Sequence, residues 1–244
     1  MMNRMETDVK SRPVMFVSLG PAEMELITLK GYRHLMQADV ILCPATMTGN
    51  GKASSRAADI LRGLDAWSDK IELFPVPMSK DRSAALPVYD RMCEAATAYH
   101  RAKRRVAVVA EGDAGFYSSI HYVYEKLHDA GIPVLCIPGV PAFIACGAVA
   151  GLHIVRQDER LMVIPGNTTA DELAGLLEAG VTVVVMKPSL CADELRRFIV
   201  GHPDHHYHYF ENVGTEAEYY THCRDELPDR AFPYFSLMII RKTR

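Results

Sequence analysis

A chain of 244 residues, 49% hydrophobic and 23% charged, is long and apolar enough to bury one large core or two of ordinary size. Its net charge of -3 at pH 7 supplies no basic face for a polyanion, so nucleic acid is not an expected partner. No segment is an apolar run long enough to cross a bilayer, so no membrane partner is expected either.

Residues 1 to 12, MMNRMETDVKSR, lack the apolar core of a signal peptide and read as a flexible tail. Six cysteines, at 43, 93, 136, 146, 191 and 223, include no C-x-x-C pair. That spacing argues against a zinc site or disulfide framework and points to reduced thiols in a cytoplasmic protein.

The first structured element is a strand from Val14 to Leu19, broken at Gly20-Pro21, which leads into a helix carrying Leu26, Leu29, Tyr32, Arg33 and Leu35. Asp39 to Cys43 reads as a second strand, ended by Pro44. Thr46 to Ser55 follows as a polar loop, whose Gly49-Asn50-Gly51-Lys52 lacks the full P-loop spacing. Helical spacing covers Arg56 to Leu64, a strand runs from Lys70 to Val76, and Val88, Met92, Ala95, Ala96 and Tyr99 mark an amphipathic helix from Ala84 to Lys103. The cations Arg101, Lys103, Arg104 and Arg105 close it, where positive charge opposes the macrodipole.

Val106 to Ala110 is a short β-branched run of the kind buried in parallel sheets, and Glu111-Gly112-Asp113 sits at its carboxyl end. In open α/β sheets ligands bind beyond the strand tips, where glycine lets backbone approach them closely. Asp113 is therefore either a site carboxylate or a cap on the next helix. Tyr117-Ser118-Ser119 opens that helix, which runs through Leu127 and Ala130 to Gly131. The strand Val134 to Ile137 and the turn Pro138-Gly139-Val140-Pro141 follow. Three glycine turns then share one sheet edge if the crossovers are right-handed.

Beyond Pro138 to Val140 the texture changes, which places a domain boundary there: 13–138 as an N-terminal α/β domain and 139–244 as a C-terminal one. The second holds a small-residue helix over Ala142 to Gly151, strands at Leu161 to Pro165 and Val181 to Met186, and helices at Asp171 to Ala179 and Asp193 to Val200. Strands at His206 to Phe210 and Tyr234 to Arg241 complete a mixed sheet. Of His202, His205, His206 and His208 only the last two would share a strand face, and no carboxylate or cysteine completes a metal set, so no metal is expected. No G-x-S-x-G elbow offers a nucleophile.

Ser18-Leu19-Gly20-Pro21, Glu25 to Lys30, Ala38 to Ile41, Val108 to Asp113 and Ile137 to Val140, with the Met186-Lys187 turn and the C-terminal YFSLMIIRK, together resemble the tetrapyrrole methylase family. Within it, Leu42-Cys43-Pro44, EGDAGFYSS and Tyr234 to Leu237 are similar to the precorrin-2 C-20 methyltransferases. The resemblance implies two α/β domains with an active-site cleft between them, and S-adenosylmethionine as the methyl donor, leaving S-adenosylhomocysteine. It further implies a reduced tetrapyrrole, precorrin-2 or cobalt-precorrin-2, as acceptor in cobalamin synthesis, and a homodimer.

The same resemblance puts cofactor contacts at Gly20, Pro21, Gly112, Asp113, Phe116, Ser118, Ser119, Pro141, Ala142 and Met186. Asp113 is the carboxylate that could serve catalysis. The substrate carries many carboxylates, which makes Lys52, Arg56, Lys80, Arg82 and Lys187 candidate contacts. The chain departs from the family pattern at Ser18, where a glycine stands, at Ala22-Glu23, where Gly-Asp stands, and at Ala114, where a proline follows Asp113. Ser18 is expected to alter packing only, and loss of the proline to loosen the turn. Rival readings are another methylase of the same family, acting on a different precorrin carbon or on an RNA or translation-factor acceptor, and a non-catalytic nucleotide-binding module.

Overall fold

The structure, a computed structural model, describes residues 12–47, 53–64, 68–77 and 82–243, with the backbone but not the side chain at 82. The 1–11 part of the tail, the Gly49–Lys52 stretch and Lys80 therefore lie outside the described residues. The chain divides into two compact units, one ending at Pro141 and one beginning at Ala142.

The first unit is built on β1 (Val14–Ser18), β2 (Val40–Met47), β3 (Ala53–Ser54), β4 (Ile71–Val76), β5 (Val106–Ala110) and β6 (Val134–Ile137). β1 lies between β5 and β6, β5 pairs with β2 and β2 with β4, all parallel; the short β3 adds one antiparallel pairing to β2. Two helical layers cover the sheet: α1 (Leu29–Gln37) and α2 (Arg56–Arg62) on one face, α3 (Leu86–Arg101) and α4 (His121–Asp129) on the other. The alternation in β5 follows this directly. Val106, Val108 and Ala110 join Val88, Met92, Val123 and Leu127, while Ala107 and Val109 join Leu35, Ala58 and Leu61. A strand buried on both faces needs apolar residues at every position, and the burial of each valine contributes about 1.5–3 kcal/mol.

Two expectations fail around Pro44. β2 does not end there but runs on to Met47, and Thr46 and Met47 pair with Ser54 and Ala53, so the polar stretch is partly a ladder. The amide of Val40 donates toward the β5 side, to Arg105 O, and that of Ile41 toward the β4 side, to Lys70 O. Pro44 shares the parity of Val40, so its missing N–H faces β5, whose pairing has already stopped at Leu42. The helix expected from Tyr117 likewise begins later, at His121.

The second unit holds a five-stranded sheet of β7 (Arg160–Ile164), β8 (Val181–Met186), β9 (His206–Glu211), β10 (Tyr219–Thr221) and β11 (Ser236–Arg241), in the order β10-β9-β11-β8-β7. Only β7 and β8 run parallel, so the sheet is mixed. α6 (Ala170–Glu178) and α7 (Ala192–Gly201) pack on one face through Leu173, Leu177, Leu195, Phe198 and Ile199, against Val183, Val185, Tyr207, Tyr209, Met238 and Ile240. α5 (Ala142–Val149) opens the unit. Among the described residues no helix is long and apolar enough to cross a membrane.

Candidate active site: glycine turns at two sheet edges

β1, β5 and β6 are neighbours, so the turns that follow them meet at one edge of the first sheet. Gly20 and Gly112 exchange backbone hydrogen bonds, at 3.1 and 2.8 Å, each with a φ near +75° that suits glycine. The third turn is tied in by Asp113: its Oδ2 accepts from the Gly139 amide at 2.6 Å and its Oδ1 from the Gly115 amide at 2.8 Å. These are charge-assisted bonds, the stronger kind. The alternative that Asp113 caps the following helix is wrong, since α4 starts seven residues on from Ala114 with Ile120 at its N-cap and no side-chain cap.

Ser18 does more than pack. Fully buried, its hydroxyl donates to Ile137 O at 2.7 Å and accepts from the Ala114 amide at 2.8 Å. A proline at 114 would have no N–H to give and a glycine at 18 no hydroxyl to receive it. The two departures from the family pattern thus compensate each other, and the turn expected to be loosened is held. Gly139 is correspondingly restricted: an added Cβ would stand 2.4 Å from Ser18 Cβ and 3.0 Å from Gly112 O.

The remaining first-unit candidates surround this knot. Pro21 is buried, and Ala22 beside it has a positive φ of 60°, a conformation alanine rarely adopts. Phe116 is half-buried, its amide donating to Asp113 O and its ring edge-on to Tyr117 at 4.8 Å. Ser118 and Ser119 lie in the last turn before α4, their carbonyls accepting from the His121 and Tyr122 amides. Pro141, half-buried, closes the unit. Gly112, though buried, has nothing within 4 Å of an added Cβ, so the second turn is not packed against on that side.

Arg56, a substrate-contact candidate, forms an ion pair with Glu111, Nη1 to Oε1 at 3.1 Å, a partner that sequence reading passed over. Burial pushes the Glu111 carboxyl above its usual range, and the Arg56 guanidinium opposes that rise. Lys52 and Lys80 fall outside the described residues, as does the side chain of Arg82.

In the second unit Ala142 begins α5, Met186 ends β8 and Lys187 follows it. Gly166, after β7, has φ +87°, and an added Cβ would meet the carbonyls of Met186 and Lys187 at 2.7 Å, so the two turns press together. Lys187 is left-handed, with φ 53°, and its ammonium stands 5.6 Å from the Tyr234 ring centre, within cation–π range. Met186 is half-buried beside it and pairs with Leu237.

The histidine-rich stretch resolves into packing. His208 Nδ1 lies 2.9 Å from the Tyr220 hydroxyl and His202 stacks on Phe198, and the described residues contain no group of three His, Cys, Asp or Glu arranged to hold a metal.

Comparison with known proteins finds the same architecture. Cobalt precorrin-4 methyltransferase superposes with a TM-score of 0.70 at 17% identity, covering 94% of each chain. Uroporphyrin-III C-methyltransferase of Thermus thermophilus, solved with S-adenosylhomocysteine, gives 0.65 at 21% identity over 94% of this chain and 97% of that one. In sequence, the chain is 32% identical over 235 residues to a precorrin-2 C(20)-methyltransferase of Sinorhizobium sp, covering 92% of this chain and 93% of the relative. It is 25% identical over 230 residues to the cobalt-precorrin-2 C(20)-methyltransferase of Salmonella typhimurium, covering 93% and 94%. The sequence pattern of the Tetrapyrrole (Corrin/Porphyrin) Methylases matches residues 13–226, well over half of the chain, and the chain belongs to that family of S-adenosylmethionine-dependent methyltransferases.

Proposed function

We propose that this protein transfers a methyl group from S-adenosylmethionine to carbon 20 of precorrin-2 or cobalt-precorrin-2, a step of cobalamin biosynthesis. The observation that carries the reading is the knot of Gly20, Gly112 and Gly139, locked by Ser18 and Asp113. The relatives named for carbon 20 support the choice of acceptor.

In this reading Gly20, Pro21, Gly112, Asp113, Phe116, Ser118, Ser119 and Pro141 hold the donor. The bound donor supplies a methyl on a positively charged sulfur, ready for attack by an electron-rich meso carbon. The protein's share is placement. Asp113, with both oxygens accepting amide protons, is a positioning residue that fixes the second and third turns relative to each other. Holding reactants in line and away from water supplies about 7–11 kcal/mol of barrier reduction, more than any one proton transfer here would. Arg56, with Lys52, Lys80 and Arg82, takes the carboxylates of the acceptor. We further read the protein as a cytoplasmic homodimer, for which light scattering on a sizing column returns twice the chain mass.

The test is incubation with S-adenosylmethionine and each form of precorrin-2, with NMR to locate the new methyl. A methyl at another carbon, or none, refutes the assignment.

A further inference from the structure

Glu111 continues the odd-numbered face of β5 after Ala107 and Val109, which turns it toward the layer that contains α2. Arg56, the first residue of α2, meets it there at 3.1 Å. The start of α2 is pinned to β2, because the Ser55 hydroxyl donates to Pro44 O at 2.7 Å and accepts from the Ala58 amide at 3.1 Å. The pair therefore lies where the β2–β5 ladder has stopped at Leu42, with side chains 22% and 26% exposed.

An ion pair buried to that degree is a weak source of stability, since desolvating two charges costs about what their attraction returns. Its accessible side is a better clue. Among the described residues the charge that acts on Glu111 is Arg56 from α2; Asp113, two positions on in the same turn, has its oxygens held by Gly115 and Gly139. The facing ends of β1 and β2, Ser18 to Gly20 and Pro44 to Met47, carry no charge.

We propose that Arg56 changes partners when substrate binds: a side-chain carboxylate of the tetrapyrrole takes the guanidinium from Glu111, and Glu111 takes up one proton from solvent. This rests on the substrate reading above. The exchange is charge-balanced, with one carboxylate replacing another on Arg56 while the displaced one becomes a neutral acid. Burial already raises the Glu111 carboxyl against the opposing pull of Arg56, so loss of that cation raises it further. Substrate affinity then tightens as pH falls through the range in which Glu111 is ionised in the free protein and protonated in the complex. A ligand that lacks the matching carboxylate leaves the pair closed and moves no proton.

The experiment is calorimetry of the full chain, saturated with S-adenosylhomocysteine, titrated with cobalt-precorrin-2 at one pH in phosphate and in Tris, whose ionisation enthalpies differ. Uptake approaching one proton per site is expected, falling to none in Glu111→Gln, which binds the ligand at least as tightly because the competing carboxylate is gone. Arg56→Met also loses the uptake but binds more weakly. Melting temperature and S-adenosylhomocysteine affinity show that each variant is folded. Binding without uptake in the natural protein, or uptake that persists in Glu111→Gln, overturns the exchange with the substrate reading intact. Failure of the tetrapyrrole to bind while S-adenosylhomocysteine does overturns the substrate reading, and the exchange with it.

Discussion

Gly139→Ala is the most direct probe of the knot at the sheet edge. The new methyl would stand 2.4 Å from Ser18 Cβ, inside any real contact distance, and 3.0 Å from Gly112 O. Neither neighbour is a flexible side-chain end, so the third turn must move away. Overpacking of this kind costs about 1–3 kcal/mol. Movement also stretches the 2.6 Å bond from the Gly139 amide to Asp113, and a bond to a charged group contributes about 1.5–3 kcal/mol. The sum, about 2.5–6 kcal/mol, is a large part of a typical domain's stability. Ser18→Gly alone loses two hydrogen bonds, at 2.7 and 2.8 Å, for about 1–3 kcal/mol. In the double variant the atom that clashes at 2.4 Å is gone, so the combined loss falls short of the sum by more than about 1 kcal/mol, within the range of couplings between touching residues. Urea unfolding followed by circular dichroism measures the cycle. Costs that add to within about 0.5 kcal/mol would refute the packing argument.

Asp113→Asn leaves one acceptor oxygen for two amides and sets an NH2 against one of them, so S-adenosylhomocysteine affinity drops about tenfold and stability by about 1–3 kcal/mol; calorimetry and melting read both. Burial first, then His222, His206 and Arg241, push His208 down to about 4. Its native form is thus the neutral ring, and its contribution is complete above about 6.5 and lost as pH falls from there through about 4. His208→Phe flattens that part of a stability-versus-pH curve, and an unchanged curve would show that the ring titrates normally. Burial raises Cys43 to about 12 and Cys191 to about 11, and Cys146 higher still, whereas Cys223 is exposed. Thiol reagent at about pH 8 should therefore modify Cys223 in the native protein and those three only after unfolding.

Much of the fold was legible because burial on both faces leaves an unambiguous mark: Val106 to Ala110 and Val181 to Met186 are where apolar runs placed them. Pro44 misled because its effect depends on which neighbour its nitrogen faces, a property of pairing rather than of sequence. β10 was missed because three residues carry no period. The glycine turns of the candidate site were readable from their position at strand ends. Ser18 was expected to alter packing only and Glu111 was passed over, because what matters in each is a partner 96 and 55 residues away in the chain. The basic residues 101, 103, 104 and 105 flank an acid that sequence spacing could not pair: Arg105 grips Asp39 through its amide and guanidinium, and holds that carboxyl down at about 2.

Main-chain bonds between Gly20 and Gly112 join segments that the ribosome makes far apart, since Ser18 and Asp113 are separated by 95 positions. If these turns hold the donor as proposed, a nascent or half-refolded chain, however much helix it has formed, cannot bind it until that distant closure is complete. Ligand capture during refolding should thus lag behind the recovery of helical signal, and would mark the moment at which β5 docks beside β1.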